Sequence, residues 1–205
     1  MGISWGLNGG HGFDRLYFML RALFIIFIFT GTALAGDVED FLPDVGEFFG
    51  APLKTLNALS EKLPPDEVPV LLHIAKEAGV APQRVLDLRL AGKTWADIVS
   101  FLKLSPAIFH VDVEGPVGPP YGRALGYYRN KPRKEWGKIV LPDADIVNLV
   151  NLKFLSLHFG LPPGEVINLR AKGKGFPAIA KEVRGRKAGK AIKGKVKGKG
   201  KGRGK

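Results

Sequence analysis

The sequence contains no cysteine. This absence excludes a disulfide-stabilised scaffold, thiol catalysis, and zinc or iron–sulfur sites with cysteine ligands. It also excludes lipid attachment through a bacterial lipobox, which needs a cysteine. Catalytic patterns are scarce as well, because from Met19 onward there is no Gly-x-Ser-x-Gly elbow and no His-Glu-x-x-His motif. The sequence therefore indicates no enzyme, cofactor, metal or small-molecule substrate.

Acidic residues are missing from the last 22 positions, 184–205, although the chain as a whole has 19 of them against 31 Lys and Arg. Such a Gly-rich polycation repels itself and has little to bury, so we predict a disordered tail. Flexible cations bind polyanions by releasing counterions, and the expected partners are lipopolysaccharide or another anionic membrane surface, an acidic wall polymer, or extracellular DNA. A solubility tail is the alternative. The candidate anion-binding residues are Arg184, Arg186, Lys187, Lys190, Lys193, Lys195, Lys197, Lys199, Lys201, Arg203 and Lys205.

No apolar run is long enough to cross a membrane easily. The longest covers residues 22–35, follows Arg21 and ends in Ala33-Leu34-Ala35, whereas a spanning helix needs about 20 apolar residues. A short apolar stretch between a basic residue and an Ala-x-Ala site is typical of a secretory signal. We therefore predict a signal peptide over 1–35, starting at Met1 or Met19 and cleaved after Ala35. The mature protein would be periplasmic or secreted, and an uncleaved N-terminal membrane anchor is the alternative.

Long alternating polar and apolar runs are also missing, which predicts an all-α fold. When the sequence is shifted by 81 residues, positions 79–98 align with 160–179, and eight of the 20 pairs are identical. Average residue usage would give about one identity. The sequence therefore predicts two tandem copies of a three-helix unit, joined by a connector rich in Gly and Pro.

Each predicted copy has the same local signals. The first helix begins near Asp66 in one copy and near Asp143 or Asp145 in the other, and it ends at Gly79 or Gly160, because glycine suits a left-handed helix cap. A proline at 82 or 163 starts the second helix, and Trp95 or Phe176 is the main apolar residue of the third. The predicted regions are an N-terminal helical region with the first copy at 36–115, a connector at 116–141, a second copy at 142–183 and the tail at 184–205.

The connector brings aromatic and basic residues together. Rings interleaved with cations can stack on sugars or bases and pair with phosphates or carboxylates. The alternative is that these rings pack between the two copies. The candidate surface comprises Tyr121, Arg123, Tyr127, Tyr128, Arg129, Lys131, Arg133 and Trp136.

Part of the first copy is similar in spacing to the helix-turn-helix of response-regulator-type transcription factors. The similarity covers about 25 residues from Val85 to Ile108, and it implies a recognition helix at 105–110. That segment contains Pro106 and no Arg or Lys, whereas helices that bind in the major groove present Arg, Lys, Asn or Gln. A nucleic-acid-binding protein with degenerate helix-turn-helix units and a histone-like basic arm is therefore the alternative function.

Charge is unevenly distributed between the two halves of the body. Residues 36–115 contain 13 acids and seven bases, whereas residues 116–183 contain five acids and 11 bases. Opposite charges on two halves of one chain favour head-to-tail self-association, which is a further hypothesis.

Overall fold

The computed structural model describes the backbone of residues 32–199 and the side chains of residues 37–188. The described residues form nine α-helices and two short 3-10 helices, at Pro106–Phe109 and Arg133–Lys138, and no strand. The all-α prediction is therefore confirmed. The α-helices are α1 Thr32–Phe49, α2 Leu53–Ser60, α3 Val68–Ala78, α4 Pro82–Leu90, α5 Trp95–Phe101, α6 Gly122–Arg129, α7 Asp143–Phe159, α8 Pro163–Ala171 and α9 Phe176–Lys199.

Helices α3 and α7 pack against each other at the centre of the fold. Nearly every residue from Val68 to Ala75 is buried, and α7 buries apolar side chains on several sides, as a central helix must. The buried Asn151 of α7 donates its amide to the Asp66 carbonyl at 2.8 Å. This bond connects α7 to the residues that lead into α3.

Both central helices end at a glycine, as the sequence predicts. Gly79 and Gly160 each have a φ of 64°, the left-handed conformation that glycine adopts with least strain. The next residue then bonds back to the helix: Val80 N–H donates to Ala75, and Leu161 N–H donates to Ser156, both at 3.0 Å. These bonds satisfy carbonyls that the end of a helix leaves free.

The connector is more ordered than its composition predicts. Residues 110–118 are not helical, but α6 and the 3-10 helix at Arg133–Lys138 follow within the predicted 116–141 segment. Tyr121, Leu125 and Tyr128 are buried, so this segment contributes a layer of the core. A Cβ at Gly122 would lie 2.5 Å from the Val117 carbonyl oxygen, and glycine lets these two backbone segments approach.

The predicted disorder from Arg184 onward is not confirmed. The backbone of α9 continues through the predicted boundary at Val183 and is helical to Lys199. Arg184 and Arg186 pair with acidic side chains of the body, which holds the start of the tail against the fold. Residues 1–31 of the predicted signal peptide, 1–35, lie outside the described residues, and residues 32–35 form the start of α1. The side chains of Lys190, Lys193, Lys195, Lys197 and Lys199 also lie outside them, as do Lys201, Arg203 and Lys205.

Contacts divide the chain into two compact units, residues 1–36 and 37–205. Among the helices that the structure describes, none is both long and apolar enough to cross a membrane.

Candidate functional site

Two tyrosines of the predicted aromatic-basic surface are buried, which corrects that prediction. Tyr121 is 0% exposed and Tyr128 is 2% exposed. The Tyr128 hydroxyl donates to the Pro106 carbonyl at 2.7 Å. Burial raises the pKa of both tyrosines well above the ordinary value. Their rings are core residues, so they are not available for stacking on a ligand.

Trp136 lies at the edge of the same cluster and is only partly buried. Its ring centroid is 4.4 Å from that of His110 and 5.1 Å from that of Tyr128. Its indole N–H donates to the Lys131 carbonyl at 3.0 Å, and the Arg133 guanidinium lies 5.4 Å from the ring. This packing lowers the pKa of His110, chiefly through burial. The tryptophan therefore anchors the basic segment to the fold, with the Arg133 guanidinium over its ring.

The basic residues of the connector, unlike its tyrosines, point outward. None of the six forms an ion pair within residues 37–188, where acidic groups pair with other bases. Arg123 and Lys131 line a shallow groove of about 350 Å³ together with Tyr127 and Asn130. The Tyr127 hydroxyl accepts a bond from Arg123 Nε at 3.3 Å. The six exposed bases are Arg123, Arg129, Lys131, Arg133, Lys134 and Lys138.

The first bases of the tail have partners within the fold. Arg184 pairs with Asp44 and Asp40 of α1, and Arg186 pairs with Glu165 of α8 and with Glu182. These pairs neutralise two of the 11 predicted anion-binding residues. Lys187 lies 5.6 Å from the centroid of the Phe159 ring, so it also contacts the body.

Ion pairs also join the acidic half of the body to later parts of the same chain. Besides Arg184, Lys181 of the basic half pairs with Asp37 of the acidic half at 2.8 Å. Head-to-tail association of two chains, the hypothesis drawn from the charge distribution, would have to compete with these contacts.

Arg89, one of the identical pairs in the internal alignment, is the centre of a charged cluster. Its Nε and Nη2 donate to both oxygens of Glu67, at 3.1 and 3.0 Å, and its Nη1 donates to Asp143 at 2.6 Å. The second Asp143 oxygen accepts the Trp95 N–H at 2.8 Å, and the guanidinium lies 4.5 Å from the Trp95 ring. Burial opposes its charge, but the two carboxylates raise the pKa of Arg89 further.

Arg170 lies in the equivalent position of the second copy but has no such partners. It donates to the Lys174 carbonyl at 2.7 Å, as Arg89 donates to Lys93 at 3.1 Å, and it lies 4.2 Å from the Phe176 ring. Asn148 replaces Glu67, and its oxygen is 3.4 Å from Arg170 Nη2. Within residues 37–188, no carboxylate forms an ion pair with Arg170, and its buried Nε has no hydrogen-bond partner.

The sequence contained the signal for this difference. Glu67 and Asn148 are also 81 residues apart, so the exchange of a carboxylate for an amide could be found by extending the alignment towards the N-terminus. Only the structure shows that Glu67 contacts Arg89 and that Asn148 contacts Arg170.

The segment that would correspond to a recognition helix does not form one. Residues Pro106–Phe109 are a 3-10 helix of four residues, and Phe109 is 1% exposed. A single buried turn cannot enter a major groove. In the described part of the chain, no group of three or more His, Asp or Glu side chains could hold a metal ion.

No protein-family model matches this chain, no curated protein is similar to it, and no solved structure resembles it.

Proposed function

We propose that this chain is an exported, non-enzymatic helical protein that binds an anionic polymer or an anionic membrane surface. The observation that supports this proposal best is the connector, where six exposed bases lie beside a single acid, Glu135, and form no ion pair within the described residues. Solvated cations without partners can neutralise phosphates or carboxylates and release their counterions. Arg129 and Arg123 keep part of their donors on neighbouring oxygens, and this holds the side chains in place.

The tail supplies the second part of the proposed surface. Arg184 and Arg186 are neutralised by the body and Lys187 lies against the Phe159 ring, so the binding charge of the tail would come from the other eight bases, from Lys190 to Lys205. The helical backbone as far as Lys199 rises about 1.5 Å per residue, which spreads charge along a rod instead of a compact patch. An extended array of this kind fits a long polyanion better than a small ligand.

We also propose that the body consists of two tandem copies of the three-helix unit. The matched contacts support this: equivalent prolines start α4 and α8, and equivalent glycines follow them with φ of 83° and 82°. In both copies an arginine stacks on an aromatic ring and donates to a lysine carbonyl. A duplication explains why positions 79–98 align with 160–179 after a shift of 81 residues, because both segments form the same arrangement of helices.

Binding can be tested with a labelled duplex DNA and with vesicles that contain lipopolysaccharide. A chain that ends at Lys187 keeps the Arg184 and Arg186 ion pairs but loses eight cations. We expect it to bind both probes at least tenfold more weakly than the full chain at low salt. Unchanged affinity in the shortened chain would exclude a binding role for the tail.

The connector needs its own variant. Replacing Lys131, Lys134 and Lys138 by Gln should weaken binding to both probes without affecting the fold, because all three side chains are exposed. The matched control replaces three exposed lysines of the acidic half, Lys54, Lys62 and Lys76. Equal losses in the two triple variants would show that only net charge matters and would contradict a binding surface on the connector.

Export is the remaining part of the proposal. The compact unit begins at Asp37, one residue after the predicted mature start at Gly36, so cleavage after Ala35 would remove the first four residues of α1 and leave this unit. N-terminal sequencing of protein from cell fractions tests this directly. Gly36 at the N-terminus of extracytoplasmic protein would support export, whereas a full-length cytoplasmic chain would exclude it and favour the nucleic-acid alternative.

A further inference from the structure

An apolar cavity of about 190 Å³ lies between α5, the 3-10 helix at Pro106–Phe109 and residues 137–141, which lead into α7. Five of the side chains that line it are buried in the core: Val99, Phe109, Ile139, Leu141 and Ile146. An apolar cavity of about 150 Å³ stays free of water and binds a six-carbon ring such as benzene, because water in it has no polar partners. The present cavity therefore has room for an apolar group of about six carbons.

The exposed residues of the lining form the mouth of this cavity. They include Ser100 of α5 and Lys138, which is the only charged residue among the described residues that line the cavity. Val140 also lines the cavity and is 76% exposed, so an apolar side chain lies in water beside the opening. Glu135 lies three residues before Lys138, but it is not part of the lining and forms no ion pair with this lysine. The cavity thus combines an apolar interior with one unpaired cation at its mouth.

The charge and the size of the cavity define the ligand that fits it. An amphiphile with an anionic head and a short chain can pair with the Lys138 ammonium in water while it buries the chain among apolar side chains. Burial of each CH₂ group strengthens binding about fourfold. The hydrocarbon layer of a membrane is about 30 Å thick, so each lipid chain is much longer than the cavity. The volume therefore favours a free medium-chain acid over a membrane lipid.

We propose that this cavity binds a medium-chain fatty acid of about eight carbons. The chain packs among Ile139, Leu141 and Ile146, and the carboxylate lies in water beside Lys138 Nζ. This site goes beyond the proposed polyanion binding and shares only Lys138 with the connector bases. A charged polymer cannot enter an apolar cavity without losing its hydration, so the cavity and the connector surface bind different ligands.

Octanoate is the probe, within a series of linear acids from butanoate to dodecanoate at constant ionic strength and below their micelle concentrations. Two-dimensional NMR spectra of the methyl groups of Ile139, Leu141 and Ile146 report binding. We expect saturable shifts, with an affinity that rises about fourfold per CH₂ group up to octanoate. The affinity should then level off, because the cavity is full. Adsorption to an open apolar surface would instead strengthen with every further carbon.

Two pairs of variants test the interior and the mouth separately. Ala96→Leu fills the cavity from α5 and should weaken octanoate binding at least about tenfold, because it displaces several CH₂ groups. Ala178→Leu makes the same change at a half-buried position of α9 outside the lining and should leave binding unchanged. Lys138→Gln should weaken octanoate binding about two- to fivefold without affecting 1-octanol, which has no charge. Lys134→Gln removes an exposed base outside the lining and should alter neither ligand.

Several results would overturn the proposal. These are an absence of saturable shifts with octanoate, an affinity that keeps rising to dodecanoate, equal losses in the two leucine variants, and displacement of octanoate by phosphatidylglycerol vesicles. If Ala96→Leu fails to fold, Lys138→Gln serves as the second variant, and octanoate binding equal to that of the parent chain would overturn the proposal. The chain ending at Lys187 retains the cavity, so its octanoate binding should equal that of the full chain. Octanoate binding is thereby separated from polyanion binding, which this shortened chain loses.

Discussion

Arg89 and Arg170 form an internal comparison at the scale of single residues. Each guanidinium donates to a lysine carbonyl and lies against an aromatic ring, but Arg89 has two carboxylate partners, whereas Arg170 neighbours the Asn148 amide and the buried Tyr121 hydroxyl. Removing one partner of a partly buried pair leaves the other charge uncompensated, which costs more than the pair itself contributes.

We predict that Arg89→Gln lowers the free energy of unfolding by about 2–4 kcal/mol, because Glu67 and Asp143 both lose their cation. Arg170→Gln should cost about 1 kcal/mol or less, since no carboxylate depends on it. Urea denaturation of the two variants measures the difference. Equal losses would show that stacking on Trp95 and Phe176, not ion pairing, determines the role of both arginines.

His73 gives a pH-dependent prediction. It is 6% exposed, and burial lowers its pKa below 6.5, although the hydrogen bond to the Ile108 carbonyl opposes this shift. The unfolded chain then binds a proton at a higher pH than the folded chain does. We therefore expect stability to fall as the pH drops below about 6.5, with a slope of up to about 1.4 kcal/mol per pH unit from this residue.

The control for His73 is His73→Gln, which keeps an amide donor for the Ile108 carbonyl but does not titrate. Its unfolding free energy, measured by urea denaturation between pH 7 and 5, should depend less on pH than that of the parent chain. His110 also has a lowered pKa, so part of the dependence should remain. An identical pH slope in the two proteins would contradict the role assigned to His73.

Side-chain direction is what the sequence could not provide at the residue scale. The sequence shows that aromatic and basic residues occur together in the connector. Tyrosine has an apolar ring and a polar hydroxyl, so it occurs both in cores and on surfaces, and the sequence did not show that Tyr121 and Tyr128 are buried. The buried hydroxyl of Tyr128 donates to the Pro106 carbonyl. These two residues are 22 positions apart, so local patterns cannot show the contact.

At the scale of helices, the glycine caps are the clearest local signals. Gly160 has a positive φ and ends α7, whereas Gly164 lies in the first turn of α8 without positive φ or crowding at its Cβ position. We predict that Gly160→Ala lowers stability by about 1 kcal/mol, because alanine is strained in the left-handed region. Gly164→Ala should raise stability by up to about 1 kcal/mol through a better helix propensity. Thermal denaturation of both variants is the measurement, and effects of the same sign would contradict these assignments.

Helix ends that depend on local residues could be predicted from the sequence, whereas features that depend on residues far apart in the chain could not. The ends of α3 and α7 followed from Gly79 and Gly160, since a helix cap is a local feature. Helix α6 lies in a segment rich in Gly and Pro, where composition favoured an extended chain. Helix α9 continues through Val183, and Arg184 pairs there with Asp40 and Asp44, which lie about 140 residues earlier in the chain, so this contact could not be found from local patterns.

At the scale of the whole molecule, some charged side chains form ion pairs within the fold and others do not. Within the described residues, Asp37, Asp40 and Asp44 of α1 pair with bases of α9, and Glu67 and Asp143 pair with Arg89. The connector bases take part in none of these pairs. Exposed lysines of the acidic half such as Lys54 and Lys62 also form no ion pair, so the proposed polyanion surface is distinguished by the density of its bases, six against the single acid Glu135 within 116–141.

The dependence of duplex DNA binding on salt tests this account most directly. Each neutralised phosphate changes the slope of log K against log salt by about 0.9, so the full chain should give a steep negative slope. The chain ending at Lys187 lacks eight cations, and its slope should be shallower by up to about 7. The same slope for both chains, or affinity that does not change with salt, would contradict polyanion binding through the unpaired bases.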